Sequence, residues 1–210
     1  DALPIWMVLG NHDYGRGLDR RVAHRQVAWA GRTEGFEMPS STYAFRAGRV
    51  DLFAIDTTDV FWQGAEPHRT WLREGLQGSD APWKVVVGHH TFRSEAGHGN
   101  AGDYESIGGV PWADGDSLRE LFEEEVCGQA DLYLAGHDHN LQWIEHCGTT
   151  LLVSGSGAKS RPLAPRGNTL LYGLGDEGFV WVELASDRLT AAFYDEQGAL
   201  GFEAWRDREG

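Results

Sequence analysis

The chain has 210 residues, of which 41% are apolar, and it carries a formal net charge of −14. This apolar content is ordinary for a folded protein, and the length suits one domain with a sizeable core, predicted over residues 1–210. The acidic balance argues against nucleic acid as a partner, because contacts with phosphates need clustered Lys and Arg. No apolar run approaches the length of a membrane span.

Strands and helices alternate in the first part of the chain. Strands are predicted where short apolar runs end at a turn signal, and helices where apolar residues recur every three or four positions. A Gly-rich segment from 94 to 115 follows, and a loop of that length in a compact domain is usually functional or mobile. The predicted strands are 2–9, 43–46, 50–55 and 83–87, and the predicted helices are 18–30 and 68–76.

The second part begins with one helix and then becomes a run of strands. Asp116 is predicted to cap that helix at its N-terminus. The order of elements along the whole chain predicts an α/β (α+β) fold of two packed mixed β-sheets flanked by helices. The predicted elements are a helix at 117–126, strands at 131–135, 141–146 and 149–153, and about four short strands between 169 and 205.

Two cysteines, Cys127 and Cys147, have two interpretations. They can be unrelated buried thiols, which are common in protein interiors. Alternatively they form a disulfide, because Cys127 ends the predicted helix and Cys147 lies in the turn of the hairpin that runs back towards the same end. A disulfide would indicate an oxidising compartment.

Three predicted strands end in the same way, with an apolar run, a glycine and then polar side chains that can bind a metal. The sequences are Val-Leu-Gly-Asn-His-Asp at 8–13, Val-Val-Gly-His-His at 86–90 and Leu-Ala-Gly-His-Asp-His at 134–139. A structural histidine would be the better explanation of any one of them. Three recurrences favour a shared site, because neighbouring strands place their loops along one edge of a sheet.

Neutral imidazoles together with amide or carboxylate oxygens suit zinc, iron and manganese. Two adjacent ions of this kind can clamp a phosphate and activate water for the hydrolysis of a phosphate ester. Neither a Ser-His-Asp pattern nor a phosphate-binding Gly-x-x-x-x-Gly-Lys loop competes with this interpretation.

The three blocks resemble the later signature blocks of the calcineurin-like metallophosphoesterases, and more finely those of the small, tartrate-resistant type of purple acid phosphatase. The similarity runs over nearly the whole chain. Shorter matches that support it are Pro39-Ser40, Ile55-Asp56-Thr57, Trp71-Leu72, Glu-Ala-Gly-His-Gly at 95–99, Gly-His-Asp-His-Asn-Leu-Gln at 136–142 and Ser-Gly-Ser-Gly at 154–157.

The resemblance implies a phosphoric ester hydrolase of the acid phosphatase type, which acts on small phosphate esters through a metal-bound hydroxide at a dinuclear centre. Residue by residue, it implies Asn11, His89 and His137 as ligands of one metal ion and His139 as a ligand of the other. The family pairs iron with iron, zinc or manganese, and the sequence leaves the choice open.

The resemblance also assigns residues to the phosphate and to the proton. His12 and His98 resemble the histidines that hold the phosphate and protonate the leaving alkoxide, and Asp13 would orient His12. His90 stands where the family varies and is left out of the metal set. Trp112 is predicted either to pack in the core or to line the substrate rim.

The family carries two further blocks before the three seen here: a first aspartate, and a Gly-Asp block whose aspartate bridges the metals. The chain starts at what would be the third strand, so we expect an N-terminally truncated sheet with an exposed edge and at most one well-held metal ion. Two alternatives stay open: a phosphodiesterase or nucleotide pyrophosphatase, and a non-catalytic binding protein that retains the scaffold. The possible disulfide and the resemblance to secreted phosphatases favour a secreted or periplasmic location.

Overall fold

The computed structural model describes residues 3–15, 19–104 and 114–208. Its helices are α1 (Arg20–Ala30), α2 (Thr57–Gln63), α3 (Glu66–Gly78) and α4 (Asp116–Glu125), with a short 3-10 turn at Asn11–Tyr14. Its strands are β1 (Ile5–Trp6), β2 (Phe36–Glu37), β3 (Tyr43–Ala47), β4 (Val50–Ala54), β5 (Trp83–Val87), β6 (Leu132–Ala135), β7 (Leu141–His146), β8 (Thr149–Ser154), β9 (Leu170–Leu174), β10 (Gly178–Leu184), β11 (Arg188–Asp195) and β12 (Leu200–Asp207).

A seven-stranded mixed sheet in the order β3-β4-β5-β6-β8-β7-β9 forms the centre of the fold. Its strands β4, β5, β6 and β8 run parallel, as expected for strands joined through helical crossovers. Strands β10, β11 and β12 form a second, antiparallel sheet, and β1 pairs with β2 in a small parallel ribbon.

Both faces of the central sheet are covered, because alternate residues of its strands point to opposite sides. Tyr133 of β6 packs with Leu72 and Phe122 of the helices, whereas its neighbour Leu132 packs with Phe193 of the second sheet. The predicted α/β fold with two packed sheets and flanking helices is therefore confirmed. The second sheet is antiparallel in the described residues, where a mixed one was predicted.

Three local predictions differ from the structure. The strand predicted over 2–9 is limited to Ile5–Trp6, since only these residues have a pairing partner. Helix α2 was missed because its seven residues are too few for a clear apolar period. Gly115, and not Asp116, is the N-cap of α4, and Asp116 is the first helical residue.

Cys127 and Cys147 form a disulfide, with their Cα atoms 5.2 Å apart. Cys147 and Gly148 form the two-residue turn between β7 and β8, and both have positive φ, 48° and 80°. Two positive φ angles match a type I′ hairpin turn, which brings Cys147 back towards the end of α4. The disulfide alternative is therefore confirmed. Within the described ranges, no helix combines the length and apolarity needed to cross a bilayer.

Candidate metal centre

The carboxyl ends of β5 and β6 place two of the predicted blocks side by side. The peptide N–H of Gly88 donates to the carbonyl of Leu134 at 3.0 Å, and the N–H of Gly136 donates to the carbonyl of His89 at 3.1 Å. These bonds continue the parallel ladder for one step beyond the strands. His89 and His137 therefore lie next to each other at the edge where open α/β sheets bind ligands.

The Asn11 turn reaches the same edge by a different route. It follows β1, which pairs with β2 and not with the central sheet. The hydroxyl of Tyr14 donates to Oδ2 of Asp56 at 2.5 Å, just after β4, and the two residues are buried. Burial of the carboxyl group raises the pKa of Asp56. The sequence predicted that all three loops follow neighbouring strands of one sheet. The loops after β5 and β6 do so, whereas the Asn11 turn is held at the site by tertiary packing.

Three predicted ligand atoms meet at this edge. Oδ1 of Asn11 lies 2.8 Å from Nε2 of His89, and Nε2 of His89 lies 3.1 Å from Nδ1 of His137. Neighbouring ligands of one metal ion with bonds of about 2.1 Å are about 3 Å apart. His89 is thus spaced from Asn11 and from His137 as one ligand of a metal ion is from the next, and the chemistry of the three donors suits zinc, iron or manganese.

The two histidines are held in the neutral form that a metal ligand needs. Burial, followed by the neighbouring histidines His12, His139 and His98, lowers the pKa of His89 to about 4. Burial is also the main reason why the pKa of His137 lies well below its ordinary value. His137 has a positive φ of 63°, a conformation that a non-glycine residue rarely adopts and that is found at functional sites.

His90 lies beside these ligands, although the sequence analysis left it out of the metal set. One ring nitrogen of each of His89, His90 and His137 falls within 4.8 Å of the others. The hydroxyl oxygen of Thr57 accepts from the peptide N–H groups of His89, at 3.2 Å, and His90, at 3.1 Å. It also lies 2.9 Å from Nδ1 of His90.

A hydroxyl has two lone pairs and one hydrogen, so the lone pairs of Thr57 are already used and its hydrogen must point at Nδ1 of His90. Burial lowers the pKa of His90 well below its ordinary value, so its ring is neutral. The ring proton of His90 is then on Nε2, which leaves neither nitrogen available for a metal. This argument supports the exclusion of His90 from the metal set.

His139, the predicted ligand of a second ion, lies outside the group formed by His89, His90 and His137. Its Nδ1 is buried and has no hydrogen-bond partner in the described part of the chain. A buried nitrogen without a hydrogen-bond partner destabilises a protein unless a bound ligand contacts it. The predicted role of His139 as a metal ligand would satisfy this nitrogen. Burial lowers the pKa of His139, and the nearby cations Lys159 and Arg161 lower it further.

The two histidines predicted to act on the phosphate lie on two different segments beside the ligands. His12 is exposed on the 3-10 turn, next to Asn11. The ring of His98 is centred 4.2 Å from that of His137. Oδ2 of Asp13 accepts from the peptide N–H of Gly10 at 2.8 Å, so this carboxylate stabilises the turn that carries Asn11 and His12. The predicted role of Trp112 falls outside the described residues.

Asp138 is a site residue that the sequence analysis missed. It is buried between His137 and His139, and its carboxylate accepts from the hydroxyl of Ser94 at 2.5 Å and the peptide N–H of His98 at 3.3 Å. One carboxylate thus joins the loop of the ligands to the loop of His98. The available signal was its position between two predicted metal ligands.

The pKa of His89 predicts how the metal-free protein responds to acid. Its folded-state pKa, about 4, is below the ordinary 6.5, so the unfolded state binds more protons between these values. The contribution of neutral His89 to the free energy of unfolding is complete above pH 6.5 and is lost progressively as the pH falls towards 4. Urea unfolding with a chelator present should show this loss across the window.

The variant His89→Gln should lose stability less steeply over the same pH window. His24→Gln, which changes an exposed histidine on α1, should follow the wild type. Equal slopes for the wild type and His89→Gln would contradict the prediction.

The candidate site is a histidine-rich donor set at the carboxyl edge of a mixed sheet, with a second sheet and helices around it. This arrangement is typical of α/β proteins that hold metal ions at their loop tips. Residues 2–141 match the model of the calcineurin-like phosphoesterases, and the chain belongs to that family.

Among curated proteins, the chain is 29% identical to purple acid phosphatase 4 of Arabidopsis thaliana over 93% of its own length. It is 25% identical to human tartrate-resistant acid phosphatase type 5, again over 93%. It spans 60% of the Arabidopsis protein and 65% of the human one. The predicted similarity to purple acid phosphatases of the tartrate-resistant type is therefore confirmed.

Solved structures support the fold. The structure of GAP50, described as the anchor in the inner membrane complex of Plasmodium, matches all of this chain and 67% of its own, with a TM-score of 0.76 and 19% identity. A purple acid phosphatase from yellow lupin seeds matches 80% of this chain and 33% of its own, with a TM-score of 0.60 and 20% identity.

Proposed function

We propose that the protein is a metal-dependent phosphoric ester hydrolase that acts on small phosphate monoesters, in the manner of an acid phosphatase. The observation that carries the proposal is the convergence of Asn11 Oδ1, His89 Nε2 and His137 Nδ1 at distances of 2.8 and 3.1 Å. These donors lie in the region that matches the phosphoesterase family. The named acid phosphatases among its relatives support the choice of substrate class.

Each residue has a proposed role. Asn11, His89 and His137 hold one metal ion, and His139 contributes to a second. In the family the metal pair is iron with iron, zinc or manganese, and we propose that this chain by itself holds at most one of the two ions well. A cation at these ligands would withdraw charge from the phosphate oxygens and acidify water. His12 and His98 bind the phosphate and protonate the oxygen of the leaving group. Asp138 and Asp13 position the loops that carry them.

The disulfide between Cys127 and Cys147 supports a further part of the proposal. Disulfides persist in oxidising environments and are rare in the cytosol. We therefore propose that the protein works in a secreted or periplasmic location.

The test compares two monoesters whose leaving groups differ in acidity. The full-length protein, loaded with iron, zinc or manganese, should hydrolyse p-nitrophenyl phosphate and phenyl phosphate, and the diester bis(p-nitrophenyl) phosphate more slowly. His98→Asn should lower kcat for phenyl phosphate by about 100-fold, because general acid catalysis contributes about that much or more. The loss for p-nitrophenyl phosphate should be smaller, since its leaving group needs little protonation.

The exposed His24 provides a matched control, and His24→Asn should keep the wild-type rates for both esters. Metal binding by the full-length protein without turnover of any ester would refute the proposed hydrolase and favour a binding protein that retains the scaffold. Faster turnover of the diester would refute the preference for monoesters.

A further inference from the structure

The backbone that carries His98 is poorly constrained by its own sequence. His98 lies between Gly97 and Gly99, and glycine leaves more backbone conformations open than any other residue. Gly99 has a positive φ of 85°, and an added Cβ at Gly97 would meet no atom within 4 Å. The position of the imidazole of His98 must therefore be set by contacts from elsewhere in the chain.

Arg166, in the loop between β8 and β9, supplies such contacts. Its Nε donates to the carbonyl of Ala96 at 3.1 Å, and its Nη2 donates to the carbonyl of Gly97 at 3.0 Å. An added Cβ at Gly99 would meet Cζ of Arg166 at 3.7 Å, so the guanidinium also lies beside this glycine. Because a guanidinium is planar and presents its donors in a fixed fork, it holds the two successive carbonyls in one relative orientation.

The peptide unit between Gly97 and His98 is held at both of its polar groups. Its carbonyl, that of Gly97, accepts from Arg166, and its N–H, that of His98, donates to Oδ1 of Asp138 at 3.3 Å. A peptide unit is planar, so bonds at both ends fix the plane from which the side chain of His98 projects. Arg166 and Asp138 therefore hold the same peptide unit from two different loops.

Arg166 is itself anchored to the segment that it contacts. The buried carboxylate of Glu95 accepts from the peptide N–H groups of Arg166 and Asn168, both at 2.6 Å, and from Nδ2 of Asn168 at 2.7 Å. The carbonyl of Glu95 accepts from the N–H of Ala164 at 2.8 Å. Glu95 precedes His98 by only three residues, so the loop with Arg166 and the loop with His98 are bonded in both directions.

We propose that Arg166 is a positioning residue, which fixes the backbone of His98 and so directs its imidazole towards the leaving group of the substrate. This inference deepens the proposed hydrolase function and rests on it. A misplacement of about 1 Å in a catalytic site can cost about 100-fold in rate. The loss of Arg166 alone should cost less, because Asp138 still holds the other end of the peptide unit.

The step that Arg166 supports is a proton transfer within the hydrolysis. The bond from phosphorus to the leaving oxygen breaks, the oxygen of water joins phosphorus, and the protonated ring of His98 gives its proton to the leaving oxygen. The water gives one proton to solvent, and solvent returns one to His98. Esters of weakly acidic alcohols and phenols depend most on this transfer.

The test uses the full-length protein, loaded with metal, and the two monoesters of the proposed assay. Arg166→Ala should lower kcat for phenyl phosphate about tenfold and kcat for p-nitrophenyl phosphate less than about twofold. Arg166→Lys keeps the charge and one donor and should lose less. The matched control Arg32→Ala removes an exposed arginine just after α1 and should keep both rates.

A double variant separates positioning from a general structural effect. In protein that already carries His98→Asn, Arg166→Ala should have no further effect on phenyl phosphate, because the ring that it positions is gone. Zinc affinity should stay unchanged in Arg166→Ala, since His98 is not a ligand. Hydrogen–deuterium exchange of peptides that cover 94–100 should become faster in Arg166→Ala and stay unchanged in Arg32→Ala.

The outcomes separate this inference from the proposed function. Equal losses for the two esters, or a further loss on top of His98→Asn, overturn the positioning role even if the wild type hydrolyses both esters. If the wild type hydrolyses neither ester, the proposed function fails. Hydrogen exchange then decides whether Arg166 fixes the backbone of His98: faster exchange confined to Arg166→Ala supports it, and exchange as slow as in the wild type overturns it.

Discussion

Replacing His89 with alanine is expected to lower the affinity for zinc by at least about 100-fold, because even the loss of a residue that only supports a metal ligand costs about 10–100-fold. His89 has the largest effect because its Nε2 lies between the other donors, 2.8 Å from Asn11 Oδ1 and 3.1 Å from His137 Nδ1. Calorimetric titration of the metal-free chain with zinc measures the change.

Two control variants make this result specific. His24→Ala removes an exposed histidine of α1 and should bind zinc as the wild type does. His90→Asn keeps an oxygen that can accept from the hydroxyl of Thr57 and should lower the affinity by less than about tenfold, because His90 is not a ligand. Wild-type affinity in His89→Ala would contradict the site, and a loss in His90→Asn as large as in His89→Ala would contradict the proton assignment of His90.

Gly155→Ala is expected both to destabilise the protein and to distort the ligand loop, which is the segment that carries His137 and His139. A Cβ at this position would lie 2.0 Å from the carbonyl oxygen of Asp138 and 3.2 Å from the carbonyl carbon of Gly136. These are backbone atoms, so the clash is relieved only if the segment with His137 and His139 moves. Overpacking of this kind costs about 1–3 kcal/mol, and the free energy of unfolding in urea should fall by about that amount.

Gly157→Ala is the matched control for this prediction. It changes the same residue type two positions away, where a Cβ would meet no atom within 4 Å and the backbone has no positive φ. Its free energy of unfolding should change by less than about 0.5 kcal/mol. Zinc affinity should fall in Gly155→Ala and stay unchanged in Gly157→Ala. Equal behaviour of the two variants would show that the close approach at Gly155 does not constrain the ligand loop.

The elements that were predicted correctly are those whose signal is local. The β5 and β6 strands are short apolar runs that stop at Gly88 and Gly136, and their pairing follows from the rule that parallel neighbours end at one edge. His89 and His137 could therefore be assigned to one site before any contact was known. The two-residue turn at Cys147-Gly148 is also local, since it is set by loop length and positive φ.

The rest depended on contacts between residues far apart in the chain, which no local pattern contains. Asn11 reaches the site because Tyr14 bonds to Asp56, 42 positions away. The proton of His90 is placed by Thr57, and the His98 loop is held by Asp138, 40 positions further on. The sequence by itself thus determined which strand ends carry metal-binding chemistry. Only the tertiary structure decided which side chains meet there, because their convergence is set by packing and hydrogen bonds between distant segments.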